Sequence, residues 1–385
     1  MKFSTVYNQL LQFLPEKEFE KAIKRYKSDR YVKYFKTKAL FVVHLYAQIR
    51  KKDSLRDIIC GLEQHQSKWY HIGLKKIKRS TISDANNRVP YEVYEQLFYG
   101  MLSKCSNLTT KTKFKFKNPL YALDSSVIDL CLSVFDWAKF RRTKGGLKVH
   151  CLFDIKSQIP AFNVITTANK SDVKIAKEID FKLSPDSIVT FDRAYIDFNL
   201  FQSYENTGAF FVTRAKENLR FDFLGQQDMP KKRGLQFDHI VQISNPNQRQ
   251  KYPGKLRLIG YFDHEKNKTY TFLTNNFKLA AITIAQIYKS RWQIELFFKW
   301  IKQNLKIRSF LGTSKNAVLS QIWIAMIYTL LLAYIKNQTK SSFSILNLSR
   351  KFSESLFFRS HLIDVLHNRP QKIPDLPLFY QPKLC

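Results

Sequence analysis

The stretch YKSRWQIELFFKWIKQNL, Tyr288–Leu305, decides how the rest of the chain is read. It is laid here on an α-helix at about 100° per residue, with Tyr288 at zero. Arg291 then falls at roughly −60°, Glu295 at roughly −20° and Lys302 at roughly −40°. Ile287, Ile294, Phe298, Ile301 and Leu305 form a second, apolar stripe that faces a core. The spacing predicts one long helix over 279–305. A carboxylate at the border of these stripes is held by a buried helix and still opens to a groove, which suits a rigid metal ligand. The same spacing also describes a plain Arg–Glu surface pair, worth only about 0.3–0.5 kcal/mol. Other carboxylates have to decide between the two.

They lie upstream. From Pro119 the pattern turns to strands: YALDSSVIDL, GLKVHCLFDI and IPAFNVITTA, with turns at Gly145–Gly146 and Ser157–Gln158. Ser171 then caps a helix, SDVKIAKEI. A fourth strand, SIVTF, leads into DRAY, and a helix near 197–206 precedes a fifth strand, AFFVTRA. Three strands, helix, strand, helix, strand imply an α/β fold with a mixed sheet and flanking helices. Asp124 sits in the middle of the first apolar strand and Asp192 closes the fourth. Carboxylates so placed are costly unless paired or metal-bound. Mg²⁺ prefers oxygen ligands, and two such ions about 4 Å apart activate an attacking oxygen and stabilise a leaving one. Asp124, Asp192 and Glu295 are therefore the candidate catalytic and metal-binding set for two Mg²⁺ ions, with Mn²⁺ as a substitute. Asp129 and Asp154 are rivals, but Asp129 has the opposite strand parity and Asp154 reads as a hairpin end. Lys148 and His150 either face the site or serve the strand. Arg193 either meets phosphate or pairs with an acid.

Residues 1–105 read as an all-α head. Apolar residues recur at helical spacing in Ala39–Ile49. Asp53 is placed to cap a helix through Leu55, Ile58 and Leu62, and Ser80 or Thr81 to cap ISDANNR, with a further helix over Tyr91–Lys104. Lys75, Lys76, Lys78 and Arg79 precede that short segment, as in a DNA-binding head with phosphate contacts beside a recognition helix. A helical bundle with a solvated basic face fits equally. Residues 106–118 read as a basic linker. Residues 119–216 and 277–340 read as the core, 217–276 as a β-rich insertion and 341–385 as a C-terminal segment, extended from Arg369. The 64 Lys and Arg against 31 Asp and Glu give a net charge of +33, which asks for a polyanion, most commonly DNA or RNA. A ribosome-associated or membrane-surface protein is the blander reading of that charge. The five cysteines include no C-x-x-C, so reduced cytosolic thiols are expected and no zinc site. The start of the chain has no leader pattern. The apolar run Ile322–Ile335 is short for a bilayer and reads as a buried core helix, so no membrane partner is expected.

The spacing Y-x2-R-x3-E-x6-K at Tyr288, Arg291, Glu295 and Lys302 resembles the signature of the IS-four group of bacterial insertion-sequence transposases, within the DDE class. LDSSVI resembles that group's first-Asp strand, FDRAY its second-Asp segment, and WAKFRRTKGGLKVHCLFD the stretch after the first Asp. The resemblance spans residues 115–335 and is looser in the helical head. It implies a ribonuclease-H-like core interrupted by a β-rich insertion before the Glu helix. It further implies cut-and-paste transposition: a nick at the element's 3′ end, a hairpin, its reopening, and joining to target DNA. The resemblance narrows the polyanion to double-stranded DNA. Arg291, Lys302 and Tyr288 would then contact that DNA, with Arg193 and Lys148 as further candidates. A homodimer holding two ends in a bacterial cytoplasm, near the nucleoid, is the matching expectation, with the C-terminal helices as contact candidates. Members of the group often stack a flipped base on an insertion Trp. No Trp lies between Trp137 and Trp292 here, so Tyr252, Tyr261, Phe262 or Tyr270 would replace it. A transposase-derived DNA-binding protein that no longer cuts, and a non-mobile nuclease, are the alternatives.

Overall fold

Among the described residues, ten strands build one mixed sheet. They are β1 (Leu120–Leu130), β2 (Lys139–Arg141), β3 (Lys144–Asp154), β4 (Ile159–Thr167), β5 (Ile188–Phe191), β6 (Phe210–Arg214), β7 (Phe221–Gln226), β8 (Leu235–Ile243), β9 (Leu256–Asp263) and β10 (Lys268–Thr274). The computed structural model describes residues 4–106, 108, 114–142, 144–179, 181–228, 234–307 and 309–367. The expected extended tail from Arg369 lies outside the described residues. The chain divides into two units, residues 108–308 and residues 1–107 with 309–385.

In the sheet unit β4, β3 and β1 pair antiparallel, and β1, β5 and β6 pair parallel. This is the ribonuclease-H-like order, with a helix, Asp172–Glu178, on the crossover from β4 to β5. The insertion is not a separate module. Its strands continue the same sheet, because β10 pairs with β6 through Phe272↔Arg214 and carries β9, β8 and β7 beyond it. One face of the sheet buries Leu123, Val189, Phe191, Phe211 and Leu273 against Phe198, Phe201 and Tyr204 of the helix Phe198–Asn206. Asp197 caps that helix, accepting from the Leu200 N–H at 3.0 Å.

The predicted single helix over 279–305 is two helices, Ala281–Ser290 and Trp292–Asn304, interrupted at Arg291. The cause is local: the Ser290 hydroxyl donates to the Ile287 carbonyl at 2.6 Å and competes with the helical ladder. Arg291 keeps helical dihedrals, so the predicted apolar stripe survives the break. Ile287, Ile294, Phe298, Ile301 and Leu305 are all buried.

The other unit is helical. Its centre is the helix Lys315–Gln338, apolar on every side. Sequence reading groups this segment with the sheet core; the structure packs it against the helices Thr37–Ile49 and Glu92–Cys105 instead. The reason is that a helix without a polar face has to be enclosed by other helices. It is long and apolar enough to cross a bilayer, but 89% of its most apolar window is buried within the protein. Phe98 meets Trp323 with ring centroids 5.1 Å apart. Asn316 satisfies the turn beside it, donating to the Asn86 and Val89 carbonyls and accepting from the Tyr91 N–H. Two caps fall elsewhere than the sequence suggests. Ser54, not Asp53, accepts from the Asp57 N–H, and the helix Arg79–Arg88 starts ahead of Ser80 and Thr81.

Asp238 on β8 and Arg257 on β9 form a buried ion pair, closed by contacts of 2.8 and 2.6 Å. Arg257 also donates to the Asn276 and Leu279 carbonyls, which lead into the helix Ala281–Ser290. Losing one partner strands a charge in the interior. Asp238→Ala is expected to cost about 3–5 kcal/mol, and Asp238→Leu with Arg257→Met to recover most of it. Urea unfolding midpoints of wild-type and variant proteins check this.

Candidate active site

The parallel register of β1 and β5 fixes two carboxylates. Leu123 pairs with Phe191, and both face the buried side of the sheet. Asp124 is the next residue on β1 and Asp192 follows the last residue of β5 in extended backbone, so both point the other way and share the opposite face. Asp192 is held there by its own turn, since its Oδ1 accepts from the Ala194 N–H at 2.5 Å. The helix Trp292–Asn304 covers this face, with Phe297 packed on Phe153 at 5.0 Å between ring centroids. Glu295 on that helix looks onto β1. Asp124, Ser125, Ser126, Glu295, Phe298, Lys299, Lys302 and Gln303 line a cleft of about 340 Å³.

Arg291 joins two of the carboxylates. Its Nη1 donates to Asp124 Oδ2 at 3.3 Å and its Nη2 to Glu295 Oε1. Its guanidinium also lies 5.8 Å from the centre of the Tyr288 ring, and Tyr288 in turn packs on Phe272. Burial pushes the Asp124 carboxyl up from its ordinary 3.8 to about 6. The Ser125 N–H and Arg291 pull the other way, and Asp192 and Glu295 push it further up. The donors are all carboxylate oxygens on three rigid elements, crowded enough to repel, with one cation compensating. That chemistry fits a hard divalent ion. Among the described residues, no three His, Cys, Asp or Glu side chains stand together at metal-binding separation, and Arg291 holds the place between Asp124 and Glu295.

With this geometry in view, residues 115–331 match the family described as the transposase DDE domain. The chain belongs to the DDE transposases. Residues 2–75 match a domain of unknown function, DUF4372. A Sinorhizobium fredii chain named as transposase y4zB is 33% identical over 76% of this chain and 83% of its own length. A Geobacillus stearothermophilus chain, named for the transposase of insertion sequence element IS5377, is 28% identical over 73% of this chain and 74% of its own. These relatives make this chain a transposase of the insertion-sequence kind. Among solved structures, a piggyBac transposase synaptic complex with hairpin DNA shares the fold, with a TM-score of 0.52 at 10% identity. The match covers 98% of this chain and 85% of that one.

Of the predicted DNA contacts in the transposase, Tyr288, Arg291 and Lys302 lie with the carboxylates, and Arg193 is exposed beside Asp192. Lys148 does not join them. It sits on the opposite sheet face, where its Nζ meets Asp172 Oδ1 at 3.2 Å and the Lys170 carbonyl at 3.0 Å. The reason is parity: Lys148 pairs with Val127, an odd number of residues from Asp124. His150 shares that face, and burial lowers its pKa to about 4 despite nearby Asp172. Asp129 is exposed with the opposite parity to Asp124, and Asp154 closes the β3–β4 turn by accepting from the Lys156 and Ser157 N–H groups. Tyr252, one residue considered for base stacking, is wholly buried and edge-on to Phe201. Lys299 is a cleft residue that the motif did not mark. Its position four after Glu295 was the available signal.

A carboxyl raised from 3.8 to about 6 binds its proton more tightly in the fold than in the unfolded chain. Asp124 therefore favours the folded state below its ordinary value, and that contribution is lost as pH rises through about 6. In metal-free protein, carbon-13 chemical shifts should place the Asp124 titration near 6. Arg291→Met should move it higher and Glu295→Gln lower. A midpoint at the ordinary carboxylate value in all three proteins would refute this account of the site.

Proposed function

We propose that this transposase binds the ends of its element and cuts and joins DNA at the cleft lined by Asp124 and Glu295. Asp124, Asp192 and Glu295 are the residues that would hold two Mg²⁺ ions, or Mn²⁺ in their place. Such ions, when bound, activate the attacking oxygen and stabilise the leaving one. The single observation that carries this reading is Arg291 bridging Asp124 and Glu295 on the sheet face that also holds Asp192. An ordinary surface pair would not tie a helix to the central strand.

The chain's own residues have separable tasks. The carboxylates gather positive charge where a phosphodiester has to sit. Arg291 is braced by the Tyr288 ring, which fixes the direction of its guanidinium. Planar, permanently charged arginine suits a phosphate near the cut. Lys299 and Lys302 continue the positive lining along the same helix, where they position the backbone without reading sequence. Nicking, hairpin formation, reopening and joining are each a displacement at phosphorus: one oxygen bonds as another leaves. One set of residues therefore serves all four. The DNA-binding head, the homodimer that holds two ends, and a site of action at the nucleoid in the cytoplasm are parts of the same proposal.

The test is metal-dependent nicking and joining of a duplex that carries an element end. Asp124→Asn, Asp192→Asn and Glu295→Gln should each slow cleavage by about 10²–10³-fold, the usual scale for losing one organised electrostatic group. Asp129→Asn should cut normally. Wild-type speed in Asp124→Asn would remove the carboxylate assignment. Hydrolysis without joined product would point to a nuclease, and end binding without a cut to a DNA-binding protein only.

A further inference from the structure

The segment KRYKSDRYVKYFK, Lys24–Lys36, connects the helix Glu16–Arg25 to the helix Thr37–Ile49. Basic residues run its whole length: Lys24, Arg25, Lys27, Arg30, Lys33 and Lys36. Its one acid, Asp29, is already engaged, accepting from the Thr37 N–H and hydroxyl at 2.7 Å each. Three tyrosines stand among these cations, and two of them, Tyr31 and Tyr34, are exposed. Tyr31 is 87% exposed and Tyr34 84%, the highest values for any large apolar side chain among the described residues.

The segment is built, not loose. Arg88 donates to the Ser28 carbonyl at 2.6 Å and to the Phe35 carbonyl at 3.0 Å, clamping both ends. The Ser28 and Thr37 hydroxyls meet at 2.8 Å, and the Arg30 and Val32 N–H groups close turns onto Lys27 and Asp29. Lys27 and Tyr31 take left-handed backbone with φ of 50° and 62°, a conformation disfavoured for a residue with a bulky side chain. The Arg30 guanidinium covers the Tyr31 ring at 4.8 Å. A strained, clamped loop thus holds flat rings out into water among positive charges. Strain of this kind persists where the surroundings impose it, and functional surfaces are where it collects.

Cations alone would serve for duplex DNA, whose bases are stacked on each other and offer no ring face. Unpaired nucleotides offer both a phosphate and an open π-face, which aromatic side chains in a basic groove take up without regard to sequence. We infer that Lys24–Lys36 binds unpaired DNA, with Tyr31 and Tyr34 stacking on bases and Arg30 and Lys33 holding the backbone. This rests on the proposal that the transposase handles DNA, and it adds a preference of the helical unit for single-stranded or unstacked nucleotides.

Fluorescence anisotropy on the full-length chain, without divalent metal, tests it with labelled oligo-dT and a duplex of equal length. Tyr31→Ala with Tyr34→Ala should weaken oligo-dT binding by about tenfold or more and leave duplex binding unchanged. Tyr31→Phe with Tyr34→Phe should restore it, since the ring is kept. Arg30→Ala with Lys33→Ala should weaken both ligands and flatten the salt dependence, by about one unit of slope for each phosphate that is no longer held. Both tyrosines are exposed, so an unchanged melting temperature is expected to accompany the weaker binding. Equal weakening on both DNAs, or none on oligo-dT, overturns the inference. If that result comes with normal duplex binding and cleavage by the wild-type chain, the cutting proposal stands. If wild-type chain binds neither DNA, both fall.

Discussion

The two contacts of Arg291 hold the site together. A carboxylate on β1 and another on the covering helix would repel each other across a half-buried gap, and burial there disfavours the charged form of Asp124. One guanidinium between them removes the repulsion and pins a helix to the central strand. The break in the helical ladder places Arg291 at the joint between Ala281–Ser290 and Trp292–Asn304, so it acts from the start of the helix that carries Glu295. A charge that holds two acids in the resting protein is also the charge best placed to meet a phosphate.

The sheet supplies what Arg291 cannot. Strand parity sorts side chains strictly between two faces, and a parallel register puts the end of β5 beside the middle of β1. Asp124 and Asp192 are neighbours for that reason alone, although far apart in sequence. The insertion then extends the same sheet through β10, and the chain returns from it directly into the helix Ala281–Ser290. The buried Asp238–Arg257 pair stands at this return, with Arg257 donating to the carbonyls of Asn276 and Leu279. The long excursion between the second and third carboxylates thus ends on a fixed anchor, not a free loop.

Much of this was legible in residues 115–335, because apolar periodicity and the position of single acids in apolar strands report directly on faces. The apolar stripe Ile287 to Leu305 and the parity of Asp129 could be read in advance. Three things could not. The helix break at Arg291 depends on the Ser290 hydroxyl, which competes with the backbone in a way that periodicity does not register. Lys148 looked free to face the site because strand pairing, which sets its parity relative to Asp124, is a long-range fact. The apolar helix Lys315–Gln338 follows the Glu helix closely in sequence, yet its partners lie near the start of the chain, and an all-apolar helix carries no mark of which helices will enclose it.

The far face of β1 shows why the site's neighbours are polar as well. Ser125 points away from Asp124, and its hydroxyl donates to Asp172 Oδ1 at 2.6 Å, while Lys148 and His150 meet the same carboxylate from β3. The Ser125 N–H meanwhile donates to Asp124 Oδ1 at 2.8 Å. One residue therefore couples the two faces: its backbone steadies the carboxylate of the site, and its side chain is fixed by a carboxylate on the other side. An apolar side chain at position 125 would leave that second tie unmade, and the strand would hold Asp124 by register alone. The polar cluster beneath the sheet is costly to bury, and its cost is offset because each member is bonded. Asp124 is thus held from its own face by Arg291 and from beneath by a network anchored on the opposite side of the sheet.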